Sequence, residues 1–163
     1  MTRVLFVCTG NICRSPTAEA VMRHLVEDRG MDGAVVIESA GTGAWNVGNP
    51  PDVRSREEAR RRGIAMGGVA RQFEHSDFDR LDLVLAMDHD NAAHLRAIAP
   101  DDDARAKVRL LREFDPTLDA SADLAVPDPY YGGAAGFTWV FDMIEAACGG
   151  LLEHIGRQGT AER

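Results

Sequence analysis

The sequence predicts an α/β protein: one domain built on a parallel sheet with helices on both faces. Short apolar runs rich in β-branched residues recur along the chain, among them Arg3-Val4-Leu5-Phe6-Val7, Val35-Val36-Ile37 and Leu83-Val84-Leu85-Ala86-Met87. Such runs read as buried strands. Between them lie segments whose apolar residues return at helical spacing, and alternation of strand with helix selects a parallel sheet. The 163 residues are 45% apolar and 27% charged, which supplies one core of ordinary composition.

The first strand covers residues 3–7 and is followed by a loop, 8–14. Ser15-Pro16 reads as a helix start, with serine as the cap and proline at the first helical position. Ala18, Val21, Met22, Leu25 and Val26 continue that helix until Gly30. Residues 35–39 form the second strand, and Ala40-Gly41-Thr42-Gly43 a turn. The stretch 45–51 is irregular, with an exposed aromatic, Trp45. A polar helix over 52–62 ends at Gly63, and its arginines, mixed with Glu57 and Glu58, read as a solvated face. The third strand is 83–87, and a helix over 89–98 is capped by Asp88. An acidic loop over 100–103 leads to a fourth strand at 107–111. Residues 112–134, with Pro116, Pro127, Pro129 and Gly132-Gly133, form a long loop of the kind that usually carries function. Phe137, Val140, Phe141, Ile144, Cys148, Leu151, Leu152 and Ile155 draw the stripe of a last helix, bent at Gly149-Gly150. The ordered core is expected to span about 3–156, with a frayed C-terminus.

The formal net charge is −8 and the chain has no long basic run, so no nucleic-acid-binding face is expected. An anionic ligand needs a local positive site set against that field. Three cysteines, Cys8, Cys13 and Cys148, are too few and too irregularly spaced for a disulfide framework and fit a reducing compartment. No signal-peptide pattern opens the chain. It also has no run of about 18 apolar residues. The expectation is a cytoplasmic protein without a membrane role.

The chemistry concentrates in Cys8-Thr9-Gly10-Asn11-Ile12-Cys13-Arg14-Ser15, between the first strand and the first helix. In parallel sheets, ligands bind beyond the carboxyl ends of strands. A loop curling into a helix N-terminus aims backbone N–H groups at one point and favours an anion there. Gly10 lets the backbone approach closely, and Asn11 tolerates positive φ. Arg14, six positions after Cys8, can grip two phosphoryl oxygens with its planar fork. A thiol in such a setting ionises near or below neutral pH and becomes a nucleophile. Ser15 can donate to that sulfur. Cys13 either packs into the loop or lies close enough to Cys8 for a reversible disulfide that shields the nucleophile. Cys148 belongs to the core stripe. A Walker-type nucleotide loop is excluded, because its lysine is missing and its glycine spacing is unmet. Expulsion of an ester oxygen calls for a proton donor. Asp128, stiffened between Pro127 and Pro129 in the long loop, is the candidate, and Tyr130 and Tyr131 could wall the site.

The run from Val4 to Pro16 resembles the signature of the low-molecular-weight protein tyrosine phosphatases, and Asp128-Pro129-Tyr130-Tyr131-Gly132 resembles that family's second signature. Ser39-Ala40-Gly41-Thr42, Gly48-Asn49-Pro50-Pro51, Ala70-Arg71-Gln72 and Met87-Asp88 resemble further family segments in the same order. The resemblance implies a four-stranded parallel sheet in the order 2-1-3-4, flanked by helices in three layers, with the whole chain, 1–163, as one phosphatase domain. It implies hydrolysis of phosphotyrosine through a phosphocysteine on Cys8. Arg14 would bind the phosphoryl group, and Asp128 would act first as acid and then as base. Thr9, Gly10, Asn11, Ile12, Cys13 and Ser15 would form the phosphate-binding loop, with Ser39 in support. Ile12, Trp45, Asn46, Tyr130 and Tyr131 would wall the substrate cleft, and the two tyrosines match positions that kinases phosphorylate in some relatives. No metal or organic cofactor is implied. The implied partner is a phosphotyrosine-bearing protein, with a tyrosine kinase of the same cell, or a host protein if the chain is exported, as candidate targets. Inorganic phosphate and related oxyanions would act as product or inhibitor, and a monomer is expected. One departure stands out. Many relatives carry a histidine that helps anchor the loop asparagine, at the place where this chain has Gly68 after Gly67. A thinner anchor for Asn11, or a substitute for the histidine, is therefore expected, with activity retained.

Three rivals share parts of this pattern. A thiol-dependent arsenate reductase of the same fold needs further cysteines, commonly near residues 80–90, and that stretch has none. A phosphocysteine carrier domain of a sugar transport system needs no acid, against which Asp128 argues. A non-hydrolytic phosphotyrosine-binding module has no use for Cys8, Arg14 and Asp128 together.

Overall fold

The computed structural model describes residues 1–130 and 132–162; Tyr131 and Arg163 lie outside them. Four strands, β1 (Thr2–Cys8), β2 (Val35–Gly41), β3 (Leu83–Ala86) and β4 (Val108–Leu110), form one parallel sheet in the order β2-β1-β3-β4. Six α-helices accompany them among the described residues: α1 (Arg14–Asp28), α2 (Val53–Arg61), α3 (Asp77–Arg80), α4 (His89–Ile98), α5 (Asp102–Ala106) and α6 (Ala134–Ala161). The strand order reverses between β1 and β3, so the loop after β1 opens at the sheet's switch point, where parallel sheets hold ligands. In register, Cys8 pairs with Gly41, and Val7 with both Ala40 and Ala86, so these strands end on one edge.

Side chains alternate across a strand, and β1 shows why its run is apolar throughout. Val4 and Phe6 bury on one face, with α1 and α6 residues such as Met22, Val26, Phe141 and Ile144. Leu5 and Val7 bury on the other, with Phe78, Leu95 and Leu110. Burial of each large side chain contributes about 1.5–3 kcal/mol, which makes the central strand a rigid platform for the loop that follows it.

The structure corrects several local expectations. α1 begins at Arg14, and Cys13 occupies its N-cap position without a side-chain cap. Ser15 does not cap, because its hydroxyl is drawn inward to Cys8. Pro16 still sits in the first turn, where its missing N–H costs nothing. The acidic run near 100–103 is not a loop: Asp101 accepts from the Ala104 N–H at 2.7 Å and caps α5. The arginines of α2 and its C-cap are not simply solvated. Arg62 bonds Glu58, Asp142, Glu145 and the Thr138 carbonyl, and so ties α2 to α6. α6 runs unbroken through Gly149 and Gly150 to Ala161. By length and composition it is apolar enough to cross a membrane, and half of that apolar window is buried here. Its stripe packs on α1 and on the 3-10 turn Leu111–Phe114.

Gly150 explains part of that packing. A Cβ there would fall on the Phe114 carbonyl, whereas one on Gly149 would meet nothing within 4 Å. Gly150→Ala is therefore expected to cost about 2 kcal/mol by overpacking. Gly149→Ala should add up to about 1 kcal/mol of helix stability. Thermal or urea unfolding of the two variants checks this, and equal effects would contradict it.

A second cluster ties residues 71–80 to the sheet. Asp77, 3% exposed, accepts from Arg71, from Arg80 and from the Glu74 N–H, and Arg71 and Arg80 also reach Glu38 on β2. Burial alone would raise the Asp77 pKa, but these hydrogen bonds and the Arg71 charge outweigh it and hold the carboxyl below its usual range. A depressed carboxylate stabilises the fold above its unfolded pKa, about 3.9, and the benefit is lost as pH falls through the folded value. Asp77→Asn should cost about 2 kcal/mol at pH 7, with the gap from the parent closing as pH drops below about 4. Denaturant titrations from pH 7 to pH 3 measure it; a gap that stays constant would refute the linkage.

Candidate active site

The loop after β1 folds back over the strand end. Asn11 takes φ 56°, a left-handed conformation that asparagine accepts more readily than most residues. Gly41 lies so close that a Cβ there would sit 2.8 Å from the Thr9 carbonyl, so only glycine lets β2 and the loop approach. Among the described residues, the backbone N–H groups of Gly10, Asn11, Ile12 and Cys13 find no protein acceptor. They crown the N-terminus of α1, whose peptide dipoles favour an anion at that end.

Hydrogen bonds hold the loop from behind. The Asn11 amide donates to Ser15 Oγ at 2.8 Å and to Ser39 Oγ at 3.1 Å, while its carbonyl accepts from the Arg71 N–H at 3.0 Å. Both amide donors and the carbonyl are thus bonded, so the expected thinning at Gly68 does not leave Asn11 short of partners. Gly67 and Gly68 instead flank a cavity of about 200 Å³ beside Asn11 and Ser39. Ser15 Oγ lies 2.9 Å from Cys8 Sγ and 3.3 Å from the Ala40 carbonyl. With one acceptor site filled by Asn11, the hydroxyl has one proton to give. A thiolate, which can only accept, would take it.

Arg14 is 2% exposed. Its Nη1 donates to Asp88 Oδ2 at 2.6 Å and to the Val126 carbonyl at 2.9 Å, and its Nη2 lies 3.5 Å from Thr9 Oγ1. Asp88 also caps α4 through the Asn91 N–H, and the Asn91 amide donates to Thr9 Oγ1. Across the opening, Asp128 Oδ2 stands 3.8 Å from Arg14 Nη2, and Asp128 Oδ1 accepts from the Tyr130 N–H at 3.0 Å.

These groups enclose a cavity of about 360 Å³. Of the residues selected from sequence, Cys8, Thr9, Gly10, Ile12, Cys13, Arg14, Trp45, Asn46, Asp128 and Tyr130 line it, while Asn11, Ser15 and Ser39 stand behind the loop. Tyr131 falls outside the described residues. Cys8, Cys13 and Cys148 are free thiols. Burial, with smaller contributions from the Asp52 and Cys8 charges, pushes the Cys13 thiol up to about 12, so it stays protonated at neutral pH. Burial likewise raises Cys148, which is inert in the core. Sequence reasoning saw Asp88 as a helix cap within a family-like segment and missed its bond to Arg14. The available signal was its place, immediately beyond the strand next to β1.

The chain's similarity to known proteins agrees with this geometry. Residues 3–161 match the family model described as low molecular weight phosphotyrosine protein phosphatase. The chain is 51% identical over 156 residues to a low molecular weight protein-tyrosine-phosphatase of Streptomyces coelicolor, an alignment covering 96% of this chain and 94% of that one. It is 42% identical over 151 residues to the human low molecular weight phosphotyrosine protein phosphatase, covering 92% and 93% of the two chains. A crystal structure of a protein tyrosine phosphatase from Entamoeba histolytica superposes with a TM-score of 0.92 at 36% identity, covering 98% of this chain and 99% of that one. The family model covers nearly the whole chain, and relatives at 42–51% identity align along almost their full length, so the chain belongs to the low-molecular-weight phosphotyrosine protein phosphatase family.

Proposed function

We propose that the enzyme hydrolyses aryl phosphomonoesters, with phosphotyrosine on a protein as the physiological case, in two steps through Cys8. The observation that carries this reading is the convergence of Cys8, Arg14 and Asp128 on one cavity, with the carboxylate 3.8 Å from the guanidinium. In the first step the Cys8 thiolate attacks phosphorus. The S–P bond forms, the P–O bond to the aryl group breaks, and Asp128 gives its proton to the departing phenolate oxygen. Arg14, with donors left beyond those on Asp88 and Val126, and the N–H groups of residues 10–13 hold the equatorial oxygens as charge shifts. Ser15 steadies the sulfur. In the second step Asp128 takes a proton from water as its oxygen attacks phosphorus, the S–P bond breaks, and inorganic phosphate leaves.

Trp45, 70% exposed, and Tyr130 stand at the mouth of the cavity, where aromatic surfaces favour a flat leaving group over an alkyl one. In this reading the whole chain acts as one monomeric phosphatase domain. The three free thiols fit a cytoplasmic setting. Cys13 either packs into the loop or, when a peroxide takes up the two electrons and two protons of the thiols, closes a reversible disulfide with Cys8.

Cys8→Ser should reduce phosphate release from p-nitrophenyl phosphate to background. Asp128→Asn should lower kcat/KM for phenyl phosphate by about 10²–10⁴-fold, the usual contribution of a general acid, and much less for p-nitrophenyl phosphate, whose phenolate departs unaided. Steady-state assays decide. Turnover that survives in Cys8→Ser overturns the nucleophile, and equal losses on the two phosphates overturn the acid.

A further inference from the structure

The geometry points to Arg54 as a positioning residue for the reaction: it fastens the loop that carries Asp128 to the phosphate-binding loop. This inference rests on Asp128 acting as the acid.

Arg54 lies in the first turn of α2, outside both family signatures, and its side chain is 36% exposed. An exposed arginine beside an aspartate is ordinarily a surface ion pair of little consequence. Four contacts set this one apart. Asp52 holds the guanidinium side-on, Oδ1 accepting from Nε at 3.1 Å and Oδ2 from Nη2 at 3.1 Å. Nη2 also donates to the Tyr130 carbonyl at 2.9 Å, and Nη1 to the Gly132 carbonyl at 3.2 Å. The guanidinium lies 4.5 Å from the centroid of the Phe137 ring, at the start of α6. Asp52, in turn, donates its backbone N–H to the Ile12 carbonyl at 2.7 Å.

These bonds form one chain between the two halves of the site. Ile12, in the phosphate-binding loop, holds Asp52. Asp52 holds Arg54, and Arg54 holds residues 130 and 132. Tyr130, through its N–H, holds Asp128 Oδ1, which leaves Oδ2 toward Arg14. The forked guanidinium is what allows a carboxylate and two carbonyls to be bonded at once, and lysine, a point donor, cannot reproduce it. Loss of the fork frees Asp128 to sit away from the leaving oxygen while leaving the phosphate-binding loop intact. A displacement of about 1 Å at a reacting group is enough to slow a step substantially.

The test compares Arg54→Met and Arg54→Lys with the parent enzyme on phenyl phosphate and p-nitrophenyl phosphate, and measures competitive inhibition by inorganic phosphate. The lysine variant keeps the charge, so the result does not hang on the methionine variant being well folded. The expected result is a drop in kcat/KM for phenyl phosphate about tenfold greater than for p-nitrophenyl phosphate in both variants, with the phosphate inhibition constant unchanged. In an Asp128→Asn background the selective loss from Arg54→Met should disappear. A loss equal on both substrates, or a selective loss that persists without Asp128, overturns the positioning role. If Asp128→Asn alone fails to separate the two substrates, the acid assignment falls, and this inference with it. If Asp128→Asn separates them and the Arg54 variants do not, the acid assignment stands and only the role of Arg54 is refuted.

Discussion

A guanidinium buried to 2% exposure inside a protein of net charge −8 is the constraint around which the site is arranged. A buried cation is tolerable only when paired and hydrogen-bonded. Arg14 meets that condition by recruiting three separate segments. Asp88 comes from the end of β3, Val126 from the long loop, and Thr9 from its own loop. Each contact also does local work: Asp88 starts α4, and Val126, whose N–H reaches the Met87 carbonyl, anchors the chain two residues before Asp128. The arginine that lines the cavity is thus also the knot that brings Asp128 and Cys8 to one site. Guanidinium suits both tasks, since its five donors lie in one plane and only some are spent on the protein.

The site divides into a front and a back with different chemistry. The front shows backbone N–H groups, a thiol and Arg14 to the cavity. The back, made by Asn11, Ser15, Ser39 and Arg71, satisfies its own polar groups and leaves no charge to spare. This explains how the loop tolerates glycine at 67 and 68. The Asn11 carbonyl is taken by a backbone N–H rather than by a side chain, and Arg71, which supplies it, is clamped to Asp77. Support of the loop is therefore distributed through the fold, down to the Asp77 carboxylate, held below its usual pKa between Arg71 and Arg80.

Much of this was legible in the sequence because its carriers are local. β1 is continuously apolar because both faces of a parallel sheet are buried, and a cysteine, an arginine and a helix start within eight residues describe an anion cradle whatever surrounds them. Asp128 was legible because two prolines and a long loop frame it. What escaped depends on contacts over long sequence separations. Asp88 presented itself as a helix cap, which it is, and nothing local tells that its second oxygen lies on Arg14, 74 residues away. Arg54 looked like one of several arginines on a polar helix, since the carbonyls it holds lie 76 and 78 residues ahead. Gly150 read as a helix weakness, whereas it makes room for the Phe114 carbonyl. The succession Asp115, Asp119, Asp123 and Asp128, each accepting an N–H two residues on, explains how a long loop without regular structure keeps its shape.

The central claim is that Cys8 carries the phosphoryl group between its two transfers. Rapid quenching of the Asp128→Asn enzyme during turnover of p-nitrophenyl phosphate, followed by mapping of the bound phosphate, tests it most directly. The predicted result is a burst of p-nitrophenol equal to the enzyme present, with phosphate on the peptide that contains Cys8. A burst with phosphate on another residue, or turnover with no burst and no phosphorylated enzyme, would contradict it.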